Sequence, residues 1–102
     1  MAGITTHVLD TAKGRPAQGI PVTLEILRNT WEVIGRGVTD ADGRLRTLTD
    51  GIALERATYR LTFTTNGFFP EVAIAFRVED PAQHYHVPLL LSPFGYSTYR
   101  GS

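Results

Sequence analysis

Three histidines, two arginines and the final stretch of residues carry most of the chemistry available to this 102-residue chain. His84 and His86 stand two apart, so on a strand their imidazoles share one face. His7 lies far from them in sequence, inside Ile4-Thr5-Thr6-His7-Val8-Leu9, where it interrupts an apolar side. Three imidazoles and an open fourth position would suit zinc. A His-x-His pair is a weak metal pattern, however, and no carboxylate spacing completes it, so no metal is expected. Acid–base work by a bare imidazole needs no metal, because histidine titrates close to working pH. The plainer alternative for any lone histidine is a structural ring satisfied by a backbone carbonyl.

Arg44 and Arg46 follow Asp42-Gly43 and share a strand face by their spacing. Arg46 reads as a solvated surface charge. Arg44 comes directly after the turn glycine, where a guanidinium can hold a planar polar molecule through two parallel hydrogen bonds. Ser97 and Ser102 raise the idea of a serine nucleophile, but no Gly-x-Ser-x-Gly elbow is present. The run His86 to Ser102 is a strange terminus. Chain ends fray unless tied down, yet this one holds an apolar stretch followed by Tyr99, Arg100, Gly101 and Ser102. Tyrosine and arginine each bury a broad surface while presenting a polar tip. The end therefore reads as part of a site.

The elements that must position these groups are strands. Val22, Leu24 and Ile26 alternate with Thr23, Glu25 and Leu27; Tyr59, Leu61 and Phe63 alternate with Arg60, Thr62 and Thr64; Val72, Ile74, Phe76 and Val78 form a third such set. Period two puts one set on a buried sheet face. Turn chemistry separates the runs at Lys13-Gly14-Arg15-Pro16, Asp42-Gly43, Asn66-Gly67, Asp80-Pro81 and Ser92-Pro93. Asp-Gly and Asn-Gly are the sharpest hairpin signals, since tight primed turns need positive φ. The spacing predicts strands near 4–10, 20–27, 31–38, 44–48, 57–64, 68–78, 85–91 and 96–100. No stretch has a useful helical period. About eight short strands favour an all-β antiparallel sandwich of two sheets over a barrel. Pro70 and Pro88, inside strand-like runs, should mark a strand start, edge or bulge. Trp31 and Phe68-Phe69 read most simply as core or interface.

Size and composition bound the rest. The length suits a single domain, 1–102, with a real core. Hydrophobic residues make up 42% and charged residues 20%, as in soluble globular proteins. Ten basic residues balance ten acidic ones, which steers the chain to neither nucleic acid nor an anionic membrane. With no cysteine, disulfides and thiolate metal sites are excluded. The start lacks the basic flank and apolar stretch of a signal peptide, so a cytoplasmic protein is the expectation.

Four motifs, in order, carry a family resemblance: His7-Val8-Leu9-Asp10, Asp42-Gly43-Arg44, Phe69-Pro70-Glu71, and His84-Tyr85-His86-Val87-Pro88-Leu89-Leu90-Leu91-Ser92 running into Tyr99-Arg100-Gly101-Ser102. Together they resemble the transthyretin-like family over nearly the whole chain, specifically its 5-hydroxyisourate hydrolase branch. The terminal Tyr-Arg-Gly-Ser after His-Tyr-His-Val-Pro is the specific part, and the hormone-carrying transthyretins lack it. The resemblance implies a two-sheet sandwich assembled as a homotetramer, a dimer of dimers, with active sites where dimers meet. It implies hydrolysis of 5-hydroxyisourate, opening a ring amide to give 2-oxo-4-hydroxy-4-carboxy-5-ureidoimidazoline, without a cofactor. By matching motifs it implies His7, Arg44, His86 and Ser102 in catalysis, and His7, Arg44, Tyr99, Arg100 and Gly101 in substrate binding. One histidine would take a proton from water while the other orients that water or protonates the leaving nitrogen. Arg44 would stabilise the developing oxyanion or clamp the ring. Tyr99 would pack on the substrate, and Ser102 would fix a histidine tautomer.

One departure stands out. Relatives carry an added segment with a short helix before Phe-Phe-Pro-Glu, whereas Thr64-Thr65-Asn66-Gly67-Phe68 makes the join here in what reads as a tight turn. An almost wholly β protein is expected. Two rival readings share the strands: a ligand carrier with the same sandwich, disfavoured by the tail and the His7–Arg44 pair, and an immunoglobulin-like interaction module, which leaves the polar motifs unexplained.

Overall fold

The computed structural model describes residues 2–102. The alternating runs become β1 (Gly3–Asp10), β2 (Arg15–Pro16), β3 (Pro21–Leu27), β4 (Trp31–Val38), β5 (Arg44–Leu45), β6 (Ala57–Thr64), β7 (Glu71–Val78), β8 (His84–His86), β9 (Leu89–Ser92) and β10 (Gly95–Thr98). Among the described residues there is no helix. Two sheets face each other in an all-β sandwich. One has the order β4-β3-β6-β7 and is antiparallel throughout. The other has the order β10-β9-β1-β2, with β5 and β8 also paired to β1.

Alternation explains the core. The register opposes Val22 to Phe63, Leu24 to Leu61 and Ile26 to Tyr59, and all six are buried. Ile4 and Val8 of β1, with Tyr85, Val87 and Leu89, close on them from the second sheet. Each large apolar side chain so removed from water contributes about 1.5–3 kcal/mol. Two buried tyrosines also tie down the loops before them. The Tyr59 hydroxyl donates to the Glu55 carbonyl and accepts from the Glu55 N–H, and Tyr85 does the same with Asp80.

Several expectations need correcting. The second sheet is not uniformly antiparallel, because β1 runs parallel to both β8 and β9. Alternation within a strand carries no information on partner direction. The run expected at 85–91 is two strands broken at Val87-Pro88, where proline has no N–H for a ladder. The run at 44–48 keeps ladder geometry only over Arg44–Leu45, and Arg15–Pro16 pairs with β1 where a turn was expected. Asn66-Gly67 does not form a two-residue turn. Thr64 pairs with Glu71, so residues 65–70 make a wider loop, with Asn66 at φ 56° and the N–H groups of Thr65 and Asn66 both donating to the Pro70 carbonyl. Asp42-Gly43 is a true turn, yet it joins the two sheets rather than neighbouring strands of one hairpin.

Candidate active site

The phase of β1 decides where the chemistry lies. Ile4, Thr6 and Val8 point into the core, and the Thr6 hydroxyl is satisfied there by donating to the Val87 carbonyl at 2.6 Å. His7 therefore does not interrupt the apolar side, as its sequence context suggests. It shares the outer face with Thr5. Pairing then sets its neighbours: His7 lies opposite Arg44 of β5, Thr5 opposite His86 of β8, and Gly3 opposite His84. Directly opposed residues project to the same side of a sheet. His7, Arg44, Thr5, His84 and His86 consequently share one polar outer face.

The Asp40–Arg44 turn builds half of this face. One Asp40 carboxylate oxygen accepts from the N–H groups of Asp42 and Arg44, and the Gly43 N–H donates to the Asp40 carbonyl. The bond from the Arg44 N–H chiefly, and that from Asp42, hold the Asp40 carboxyl below its ordinary pKa. Gly43 adopts φ 74°, and a Cβ there would sit 2.4 Å from the Val8 carbonyl oxygen, so only glycine fits. The turn delivers Arg44 beside His7. It also places the Asp42 carbonyl 2.8 Å from Nε2 of His7. A carbonyl only accepts, so Nε2 carries a proton, and in the neutral ring the lone pair lies on Nδ1.

The other half is a three-residue bridge. Thr5 Oγ1 lies 2.8 Å from His84 Nε2 and 2.8 Å from His86 Nδ1. The two rings are 6.4 Å apart between centroids, too far for direct contact, and the threonine hydroxyl is the link. His86 is half-buried and His84 exposed. Burial first, then the neighbouring Arg44 guanidinium, hold the His86 pKa below the ordinary histidine value. That direction favours the neutral ring, the form in which an imidazole can act as a base. Among the described residues no three of His, Cys, Asp and Glu gather as a metal site.

The tail reaches this face only in part. The Gly101 N–H donates to the His86 carbonyl at 2.8 Å, and the two residues form an antiparallel bridge. A Cβ on Gly101 would stand 2.6 Å from Cδ2 of His86, so the imidazole lies directly on the glycine. Ser102, Thr5, Thr6, Arg44, Arg46, His84 and His86 line a pocket of about 180 Å³. His7 stands beside Arg44 by register and is not among the lining residues. Tyr99 and Arg100 point elsewhere. They line a second cavity with Ile74, Phe76 and Tyr85, where the Arg100 guanidinium covers the Tyr85 ring at 4.6 Å and donates to Gln83 Oε1. Tyr99 is 57% exposed.

The group bonded to His86 Nδ1 is Thr5, a residue that sequence reasoning did not single out. Thr5 was legible only through its place two residues before His7, which puts both on one strand face. Arg46, read as plain surface charge, is exposed and also lines the pocket.

The family model described as HIUase/Transthyretin family matches residues 4–101. The uric acid degradation bifunctional protein TTL of Arabidopsis thaliana is 44% identical over 119 residues, covering 97% of this chain and 37% of that protein. This chain therefore spans little more than a third of that relative. The 5-hydroxyisourate hydrolase of Salmonella typhimurium is 42% identical over 109 residues, covering 97% of this chain and 80% of that one. The solved structure of Klebsiella pneumoniae 5-hydroxyisourate hydrolase is similar with a TM-score of 0.87 and 34% identity, covering 100% of both chains.

Proposed function

The chain belongs to the HIUase/Transthyretin family, and from that footing we propose that it is a 5-hydroxyisourate hydrolase. The observation that carries the reading is the meeting of a neutral-held imidazole, a guanidinium and the chain's last two residues on one outer sheet face. Such a set suits the hydrolysis of a flat, carbonyl-rich heterocycle. It suits a carrier of apolar ligands poorly.

In this reading water attacks a ring carbonyl. His86, whose Nδ1 is engaged with Thr5, takes the water proton at Nε2. Arg44 meets the carbonyl oxygen as it becomes anionic, where a fixed positive charge is worth most in the transition state. His7, bonded through Nε2–H to Asp42, offers only its Nδ1 lone pair and orients the water as an acceptor. The ring C–N bond then breaks, the leaving nitrogen receives the proton from His86, and the product is 2-oxo-4-hydroxy-4-carboxy-5-ureidoimidazoline. Ser102 lines the pocket wall. Gly101 seats the His86 ring.

The assembly proposed with it is a homotetramer, a dimer of dimers. Two features support it: the pocket lies on an outer sheet face, open on the side away from the core, and Tyr99 remains largely exposed within one protomer. A facing subunit would cover the pocket, and Tyr99 from a partner would lie against the flat substrate. Among the described residues no helix is long and apolar enough to cross a membrane. Action in the cytoplasm belongs to the same proposal, since a chain without cysteine asks nothing of an oxidising compartment. The deciding experiment generates 5-hydroxyisourate freshly from urate and follows its ultraviolet decay with and without protein. Decay no faster than the spontaneous rate, or binding without turnover, overturns the reading.

A further inference from the structure

We propose that Thr5 and His84 form a proton relay behind His86, with Thr5 setting which nitrogen of His86 is bare and His84 exchanging the proton with solvent. The inference rests on the hydrolase reading above and deepens it. It starts from the count of protons around Thr5 Oγ1.

A threonine hydroxyl has one proton to donate and lone pairs to accept with. Oγ1 has a histidine nitrogen at 2.8 Å on each side. Two neutral arrangements satisfy both contacts with the hydroxyl proton in the bridge; a third, in which Oγ1 accepts from both rings, leaves that proton outside it. In the first, His86 Nδ1–H donates to Oγ1, the hydroxyl donates to His84 Nε2, and His86 Nε2 is bare. In the second, all three are reversed: His84 Nε2–H donates to Oγ1, the hydroxyl donates to His86 Nδ1, and His86 Nε2 holds a proton. With its proton in the bridge, the hydroxyl locks the two tautomers together. The first arrangement is ready to act as a base and the second as an acid.

Passage between them follows the reaction. When His86 Nε2 takes a proton from the attacking water, the ring becomes a cation half-buried beside Arg44, where burial and like charges oppose it. The Nδ1 proton moves to Oγ1 as the hydroxyl proton moves to His84 Nε2. No atom is gained or lost, and the positive charge now sits on the exposed imidazole. His86 is left neutral with Nε2 protonated. When the leaving nitrogen draws that proton, the chain runs backwards: His84 Nε2–H returns its proton to Oγ1 and Oγ1 returns one to His86 Nδ1. The acid formed by hydrolysis ionises at working pH, and His84 is the ring placed to pass protons to water. The pairing register makes the bridge possible, because Thr5 stands opposite His86, and His84, two residues earlier on the same strand, shares that face.

The test uses the intact chain and compares Thr5→Val, Thr5→Ser and His84→Gln with wild type. Valine keeps the shape and strand preference of threonine and removes only the hydroxyl. Expected are a fall in kcat of about tenfold to a hundredfold for Thr5→Val with little change in KM, within the range that positioned proton transfer supplies. Serine should restore most of the loss, and His84→Gln should lower kcat while leaving KM near wild type. An activity-free readout is the ¹⁵N spectrum of the histidine rings. Wild type should show His86 and His84 in linked tautomers, and Thr5→Val should show His86 as a mixture. Wild-type kcat and an unchanged His86 spectrum in Thr5→Val overturn the proposal, as does serine performing no better than valine. If wild type leaves 5-hydroxyisourate untouched, the hydrolase reading falls, while the ring spectra still decide whether Thr5 sets the tautomer.

Discussion

Gly101→Ala is a one-methyl perturbation whose cost follows from the geometry. The added Cβ would meet His86 Cδ2 at 2.6 Å, Cγ at 3.3 Å and Cβ at 3.4 Å, whereas ordinary contact begins at 3.4 Å. Something must yield by about 0.8 Å on the ring side. The backbone has little freedom, because the Gly101 N–H is bonded to the His86 carbonyl at 2.8 Å. The imidazole therefore turns, and a turn of about 30° off its rotamer costs roughly 0.5–1.5 kcal/mol. Its Nδ1 then leaves Thr5, and in the mechanism proposed above its Nε2 leaves the attacking water. A misplacement near 1 Å at the reacting atoms lowers rates by about a hundredfold. Gly101→Ala should thus lose about two decades of kcat in the ultraviolet assay, with a melting temperature reduced by only about 2–12 °C from the rotamer cost alone. Wild-type kcat with an unmoved ring in a crystal structure of the variant would refute the reasoning. A loss of activity matched by unfolding would refute it too, because the expected change is confined to one side chain.

Further outcomes follow from His86 and from Gly35. His86 is held below its ordinary pKa first by burial and next by Arg44, so the acid limb of kcat/KM should fall below pH 6.5, and Arg44→Met should raise the His86 midpoint in an NMR titration; a midpoint that stays put discards the assigned cause. Because the unfolded chain binds that proton more readily, the same group makes folding less favourable as pH drops from the ordinary histidine value towards the lowered one. Gly35→Ala should destabilise by about 1–3 kcal/mol in a denaturant titration, since its Cβ would lie 2.2 Å from the Leu48 carbonyl oxygen, a backbone atom that cannot swing aside; unchanged stability would show that the loop carrying Leu48 repacks freely.

Much of the fold is legible in the sequence where apolar and polar residues alternate without ambiguity. Val22, Leu24 and Ile26, and Tyr59, Leu61 and Phe63, point inward as their period requires. The phase of β1 is not legible, because Ile4-Thr5-Thr6-His7 puts a threonine on each face. Its resolution depends on Val87, whose carbonyl satisfies the buried Thr6 hydroxyl from 81 residues away. Partner direction is hidden for a similar reason, since β8 and β9 meet β1 through a register that no local pattern encodes. At the candidate site the residue types announce themselves, while their aim does not. Tyr99 and Arg100 stand next to Gly101 in sequence and face a different cavity.

Strand β1 gathers the chemistry because both its edges are shared. On one side it meets β5 and then β2, and on the other β8 and then β9. Both flanking lines break near its middle, at Gly43 and at Val87-Pro88. Each break has a function in the geometry. The turn at Gly43 frees the Asp42 carbonyl to hold His7 and lets Arg44 enter the sheet opposite it. The break at Val87-Pro88 ends β8 directly after His86, leaving that residue's carbonyl unpaired on its far side, and the Gly101 N–H occupies it. The chain end is thus fastened by the residue whose ring it supports. The tail keeps the β9–β10 register across this break, because Gly101 opposes His86 in the same antiparallel count by which Thr98 opposes Leu89. Pro88→Val would add an N–H to that ladder opposite Tyr99, so it should hold Gly101 and Ser102 more firmly and slow hydrogen exchange at the Gly101 amide; faster exchange there would show that the break itself fastens the tail.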